Sequence, residues 1–368
     1  MKKRILFFIA DLGGGGAEKV LVNLVNNLDS EKYDITVRTI FGKGVNAKFL
    51  KPHIKYKPIF PFAPFHGYTQ IQKLFSPKTL YKLFIKGEYD LEIAYMHHVP
   101  TRVIAGSTSL SPKFAWVHTQ HVSPKIYKSK EELILCYQNF NGVAFVSDIS
   151  RDSFPLDYGI KLSHAETVHN VVDSYEIKQK ADEPIEYLDN SKINLCSVGR
   201  LSEEKGYDRL LKILGKLKKE NFNNWHFYLL GAGNELLKLK EIVESNHLTE
   251  NVTFLGFDAN PHKHVKNMDL FVCSSFTEGY STAVTESIIV GTPILTTDCS
   301  GMHEILGESG AGIIVENSDE ALYCGLKNIL SHTEAITVLR ERAKERSTHF
   351  STEILIQEFE SFIGTLDA

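Results

Sequence analysis

Ile193-Asn-Leu-Cys-Ser-Val198, Gly199-Arg-Leu-Ser-Glu-Glu-Lys-Gly206 and Tyr207-Asp-Arg-Leu-Leu-Lys-Ile-Leu-Gly-Lys-Leu-Lys218 follow one another directly in the chain. The first piece is a short β-rich apolar run, the second a glycine-bounded loop, and the third has apolar residues at helical spacing. Downstream the alternation continues, with strands expected at His226–Leu230, Val252–Leu255, Leu270–Ser274 and Pro293–Thr297 and helices at Glu235–Ser245 and Thr282–Val290. Upstream the N-terminus shows the same order. Ile5–Ala10 reads as a strand, and Ala17–Leu28 as a helix with Val20, Leu21, Leu24, Val25 and Leu28 on one face. Further strands are expected at Ile35–Ile40, Leu91–Tyr95, Phe114–Val117, Gly142–Val146 and His164–His169. Strand–helix alternation in both halves predicts an α/β chain of two Rossmann-like, doubly wound parallel-sheet domains. Such sheets bind ligands at the carboxyl ends of their strands, so two of them facing each other leave a cleft.

The length, 368 residues, agrees with two domains at ~150 residues each. A composition of 43% hydrophobic and 23% charged residues excludes disordered and fibrous classes. Polar Tyr175–Pro184 reads as a linker. The expected division is an N-terminal domain over 1–174, a linker over 175–190, a C-terminal domain over 191–350, and a helix over 351–368 that crosses back to the first domain. The five cysteines, Cys136, Cys196, Cys273, Cys299 and Cys324, show no CxxC spacing, which argues against a disulfide framework or zinc site and for a reducing compartment. Lys2-Lys3-Arg4 before Ile5–Ala10 imitates a signal peptide. Its six-residue apolar run is too short, and no run approaches a membrane span.

The formal charge of −4 is unevenly spread: residues 1–180 carry +8 and residues 181–368 carry −12. Residues 43–86 hold nine lysines, nine aromatics and no acid. Lysines meet lipid charge and rings sit at headgroup depth, so this segment is expected to contact an anionic membrane surface. The plainer alternative is a solvated basic face over core aromatics. No binding motif accompanies the charge, so no nucleic acid is expected.

Four constellations carry chemistry. Gly13–Gly16 lies between strand and helix, where close backbone approach and helix N–H groups favour an anion; no Walker A lysine follows. Arg200 and Lys205 can converge on phosphate oxygens; the alternative is a solvated loop with Lys205 paired to a neighbouring Glu. Glu278 and Glu286 stand in an E-x7-E arrangement, expected at a strand end and one turn into a helix that Gly291 and Pro293 stop. Carboxylates suit vicinal hydroxyls, and the N–H groups of Ser281, Thr282 and Ala283 suit phosphate. His118 ends a strand in Ala115-Trp-Val-His118-Thr, and His97-His98 is a weaker version of that signal.

Together these segments resemble the GT-B glycosyltransferases, within them the retaining, nucleotide-sugar-dependent family 4-like group of bacterial surface polysaccharide enzymes. The matching pieces are GGGGAEKVL (13–21), AWVHT (115–119), FVSDISRD (145–152), VHNVVD (168–173), GRLSEEKGYDRLL (199–211), LLGAGNE (229–235) and FTEGYSTAVTESIIVGTPILTTDCSGMHEIL (276–306). Val171 after Asn170, and Tyr280-Ser281, depart from the pattern. The resemblance implies a hexosyltransferase that moves sugar from a nucleotide diphosphate sugar, a UDP-sugar, to a glycan or lipid-diphosphate-linked acceptor. It implies catalytic roles for His118, Arg200, Lys205 and Glu278. Donor contacts would come from Gly15, Gly16, Arg200, Lys205, Glu278, Gly279, Ser281, Thr282, Ala283 and Glu286, with Glu286 on the ribose. It further implies no metal and no cofactor, and a cytoplasmic protein peripheral on the inner membrane face. The alternatives are a GT-B epimerase or phosphorylase, and a non-catalytic nucleotide-sugar-binding subunit of another transferase.

Overall fold

The computed structural model describes residues 2–65, 67–119 and 122–365. The chain forms two compact units, Met1–Val172 with Thr352–Ala368, and Asp173–Ser351. The first unit contains β1 (Lys3–Ile9), β2 (Tyr33–Phe41), β3 (Lys55–Phe60), β4 (Leu91–Ala94), β5 (Lys113–Val117), β6 (Gly142–Phe145) and β7 (Ala165–Thr167). They form one parallel sheet in the order β3-β2-β1-β4-β5-β6-β7. The second unit contains β8 (Ile193–Val198), β9 (Trp225–Leu230), β10 (Val252–Gly256), β11 (Leu270–Cys273), β12 (Ile294–Thr297) and β13 (Gly312–Val315). These are also parallel, in the order β10-β9-β8-β11-β12-β13. Strand order therefore reverses between β1 and β4 in one sheet and between β8 and β11 in the other. The carboxyl ends at a reversal are where such sheets leave a crevice.

Central strands are mostly apolar because helices cover both sheet faces. Ile5 to Ile9 are fully buried, as are Leu195 and Cys196 in β8. Two strands escape the sequence reading. β3, Lys-Tyr-Lys-Pro-Ile-Phe, is an edge strand with four of its six residues exposed, and Pro58 is tolerated there because an edge leaves backbone groups unpaired. β13 is only four residues long and partly buried.

The stretch read as a linker is folded. Asp173 caps a helix, Ser174–Ala181, accepting the Glu176 N–H at 2.9 Å, and Ile177 and Ala181 are buried. Asn260 Nδ2 donates to the Lys180 carbonyl at 2.9 Å, and Tyr187 hydrogen-bonds His264, so the following coil is also fastened to the second unit. At the other end of the chain, the helix Thr352–Gly364 packs within the first unit. Phe359 lies 6.0 Å from Phe7 and 5.9 Å from Trp116, and Phe362 lies 4.6 Å from Phe114. Tyr33 donates to Glu360 at 3.0 Å, and His169 Nδ1 lies 2.9 Å from Glu358.

Candidate active site

The sharpest cluster sits at the reversal between β8 and β11. Lys205 ends a short 3₁₀ turn, Glu203–Lys205, that follows β8, and Glu278 lies five residues beyond the end of β11 rather than at the strand end the sequence suggested. Lys205 Nζ donates to Glu278 Oε1 at 2.7 Å. Its partner is therefore a residue from across the sheet, not a neighbouring Glu; Glu204 instead accepts from Ser202 at 2.6 Å. Ser275 Oγ donates to the same Glu278 oxygen at 2.7 Å. The side chains are 25% and 10% exposed. Burial alone would lower the Lys205 pKa, but the Glu278 carboxylate outweighs it and the net direction is upward. The ammonium thus stays charged at a half-dry site where an anion would feel it strongly.

The backbone around the pair is tightly determined. Gly206 has φ +62°, and a Cβ there would lie 2.2 Å from the Ser274 carbonyl, so only glycine lets the two loops touch. Ser274 Oγ donates to the Lys205 carbonyl at 2.9 Å, and Phe276 N–H donates to the Glu204 carbonyl at 2.8 Å. The LLGAGNE segment acts from the other side: Leu201 N–H donates to the Ala232 carbonyl at 3.0 Å, and Glu235 N–H to the Leu201 carbonyl at 3.1 Å. A Cβ on Gly233 would lie 2.2 Å from the Leu201 carbonyl. Arg209, 3% exposed, is a positioning residue that sequence reasoning passed over. Its guanidinium donates to the Ser274 and Ser275 carbonyls at 2.9 and 2.7 Å and to Asn317 at 2.9 Å. It also lies 3.9 Å from the Phe276 ring centroid. It anchors the loop that carries Glu278. Arg200, by contrast, is exposed, and its side chain makes no hydrogen bond among the described residues.

Gly279 and Tyr280 lead into the helix Thr282–Ile289, with Ser281 as N-cap. The Ser281 side chain makes no capping bond, and Thr282 and Ala283 are partly exposed. The N–H groups of that first turn have no intrahelical acceptor, so a phosphate is a fitting partner. Glu286 lies one turn into this helix, buried, with Oε2 3.6 Å from His262 Nδ1. A small cleft beside them is lined by Val198, Pro261, His262, Ala283, Glu286 and Ser287. His262 opens a short helix, His262–Lys266, after β10, and no local sequence signal marks it. The two glutamates have different partners, Lys205 for one and His262 for the other.

In the first unit, Gly15 is the N-cap of the helix Gly16–Asn27. Asp11 Oδ1 accepts the Gly13 N–H at 2.7 Å, and a Cβ on Gly15 would lie 2.2 Å from Glu18 Oε2. A carboxylate of the chain itself therefore already lies against this helix start. His118 follows β5, its ring 4.9 Å from the Tyr95 ring and nearly parallel to Trp116. Burial pushes its pKa down to about 3 against a smaller opposing pull from the Tyr95 backbone. Gln120 and His121, which follow Thr119 in the sequence, lie outside the described residues.

The lysine–aromatic segment comprises β3 and the helices Tyr68–Lys73 and Pro77–Phe84. Phe49, Phe60, Phe62, Phe65 and Phe75 are exposed, with Phe60 stacked on Phe62 at 5.4 Å and Phe62 6.3 Å from Phe65. Tyr81 is buried, and Tyr68 packs on Phe41 at 5.0 Å, so part of the set is core. Buried Arg102 fastens the segment by donating to the Gln72 and Phe75 carbonyls, each at 2.8 Å, while paired with Glu132. Among the described residues, no helix is long and apolar enough to cross a membrane.

Residues 178–346 match the family described as glycosyl transferases group 1. The chain has the GT-B fold, and its second unit carries a group 1 glycosyl transferase domain. A relative from Campylobacter jejuni, 25% identical over 95% of this chain and 96% of its own, is named N-acetylgalactosamine-N,N'-diacetylbacillosaminyl-diphospho-undecaprenol 4-alpha-N-acetylgalactosaminyltransferase. An uncharacterized glycosyltransferase of Haemophilus influenzae is 24% identical over 98% of this chain and 100% of its own. Among solved structures, Anabaena HepE in complex with UDP has a TM-score of 0.76 at 18% identity, covering 99% of this chain and 100% of HepE.

Proposed function

We propose that this chain is a glycosyltransferase that moves a hexose-type sugar from a UDP-sugar to a glycan or lipid-diphosphate-linked acceptor in bacterial surface polysaccharide biosynthesis, with retention of anomeric configuration. The observation that carries the reading is the half-buried Lys205–Glu278 pair beside the open N-terminus of the helix Thr282–Ile289. The HepE–UDP complex and the lipid-linked acceptor named for the Campylobacter relative support it. In this reading Glu286 holds the ribose hydroxyls. The N–H groups of Ser281, Thr282 and Ala283 hold the phosphates, with Gly279 giving the backbone room to approach. Glu278 accepts hydroxyls of the sugar being moved. Arg200 and Lys205 meet the charge that grows on the β-phosphate as the bond from it to the anomeric carbon breaks. The acceptor oxygen forms the new bond to that carbon, and its proton leaves on the departing diphosphate. His118 stands beside sugar and acceptor, and Gly15 and Gly16 assist through their backbone. In this reading Arg200, Lys205 and the helix N–H groups meet the diphosphate charge, and neither a metal nor a cofactor takes part.

The exposed rings and lysines of residues 43–86 seat the protein on the inner, anionic face of the membrane, where a lipid-linked acceptor is found. Product release from a panel of UDP-, GDP- and ADP-sugars, with and without lipid-linked acceptor, tests the reading. UDP release that rises with acceptor is expected; no release from any donor overturns it. Liposome co-sedimentation tests the membrane part, with binding expected to need anionic lipid and to weaken with salt.

A further inference from the structure

His97 and His98 follow β4, and His118 follows β5. β4 and β5 pair in parallel with Ala94 opposite Ala115, so both segments leave the same end of the sheet, and His118 lies near enough to bear on the His97 pKa. The His97 and His98 rings stand edge to face, 4.1 Å between centroids. His98 has φ +79° and ψ −125°, a backbone conformation that glycine adopts freely and other residues avoid. The chain accepts this strain in order to place an imidazole where a glycine would fit more easily. His97 Nδ1 and His98 Nε2 are buried with no hydrogen-bond partner among the described residues. Unpartnered buried nitrogens are costly and call for an explanation, and a ligand is one that fits.

We propose that His97 and His98, beside His118, form a specificity element for the acceptor: a site for the hydroxyl groups of a neutral sugar ring, closed to anionic groups. The inference rests on the glycosyltransferase reading and names what the first unit recognises. Uncharged imidazole fits this task because it offers one donor and one acceptor nitrogen, as a hydroxyl does. Burial favours the neutral form of all three rings: it pushes His97 well below its ordinary pKa, where a proton on His98 or His118 would push it lower still, and His98 down to about 4. A phosphate would need a cation, and a second proton in this cluster would face the first.

The test is ¹⁵N-histidine side-chain NMR on the full chain. Methyl glycosides of galactose, N-acetylgalactosamine, glucose and N-acetylglucosamine are titrated up to their solubility limit, each alongside its 6-phosphate. At least one neutral glycoside is expected to shift the His97 and His98 ring nitrogens and to do so at lower concentration than its 6-phosphate. In His97→Ala and His98→Gly the same glycoside should bind roughly five- to tenfold more weakly, with His97→Gln partly restoring binding. His98→Gly also relieves the backbone, so it should fold at least as stably as the parent chain. Histidine resonances that no neutral glycoside moves, or that the phosphates move first, overturn the proposal. UDP added to the same samples reports separately on the donor site: failure to bind UDP undoes the function reading, while the histidine response decides the inference.

Discussion

The carboxyl ends of the two sheets are built on one plan and finished in opposite ways. After β8 and β11 the chain brings together a cation and a carboxylate from loops 73 residues apart, locks both loops backbone to backbone, and leaves a helix N-terminus open beside them. After β4 and β5 it brings together three imidazoles that burial keeps uncharged. Strand order reverses at the first site and beside the second, so topology supplies the place in each case. The side chains that follow the strands decide whether the place suits an anion or a hydroxyl.

Removing the charge should have the largest effect. Lys205→Ala is expected to lower kcat/KM by more than tenfold, and toward a hundredfold, since a charge-assisted bond is worth roughly 1.5–3 kcal/mol; steady-state kinetics with a UDP-sugar measures it, and unchanged turnover removes Lys205 from the mechanism. Gly206→Ala attacks the lock. Its Cβ has no room against the Ser274 carbonyl, so the second unit should lose ~1–3 kcal/mol in urea unfolding, with activity falling as the loops part. Acid should single out the histidine end. His98 and His118 have folded pKa values, about 4 and about 3, below the ordinary 6.5. The unfolded chain therefore binds more protons, and stability declines as pH falls below 6.5 toward 4. Thermal melts across that range should show a smaller decline in His98→Gly than in the parent chain; parallel curves would mean that His98 takes no part. Arg200→Ala should move stability least, within about 0.5 kcal/mol, because its side chain is exposed. Its effect belongs in UDP affinity, which calorimetry reads.

How far the sequence foretells this molecule depends on whether a feature is local. The buried central strands are legible because two covered faces favour apolar runs, unbroken in Ile5–Ile9 and interrupted only by buried Asn194 and Ser197 in Ile193–Val198. β3 is not, because an edge strand keeps its lysines and its Pro58. The GRLSEEKG and E-x7-E motifs name the right loops, yet the Lys205–Glu278 bond depends on β8 and β11 becoming neighbours. LLGAGNE, one of the pieces that carry the resemblance, is where one backbone packs on another, a contact no single letter announces. Arg209 lies inside one of the matching motifs and passes unnoticed because it holds its loop through the Ser274 and Ser275 backbone carbonyls, which have no letter in a sequence, and through Asn317, more than 100 residues away. His262 and the left-handed turn at His98 leave no local trace at all.

The helix Thr352–Gly364 gives biosynthesis an unusual order. Phe359 and Phe362 cover Phe7, Phe114 and Trp116, but they leave the ribosome only after all of residues 173–351. At ~5–20 residues per second the nascent first unit waits roughly 10–40 s with that wall uncovered. The half translated second is thus free to finish folding first, and the half translated first matures only after its own closing helix arrives.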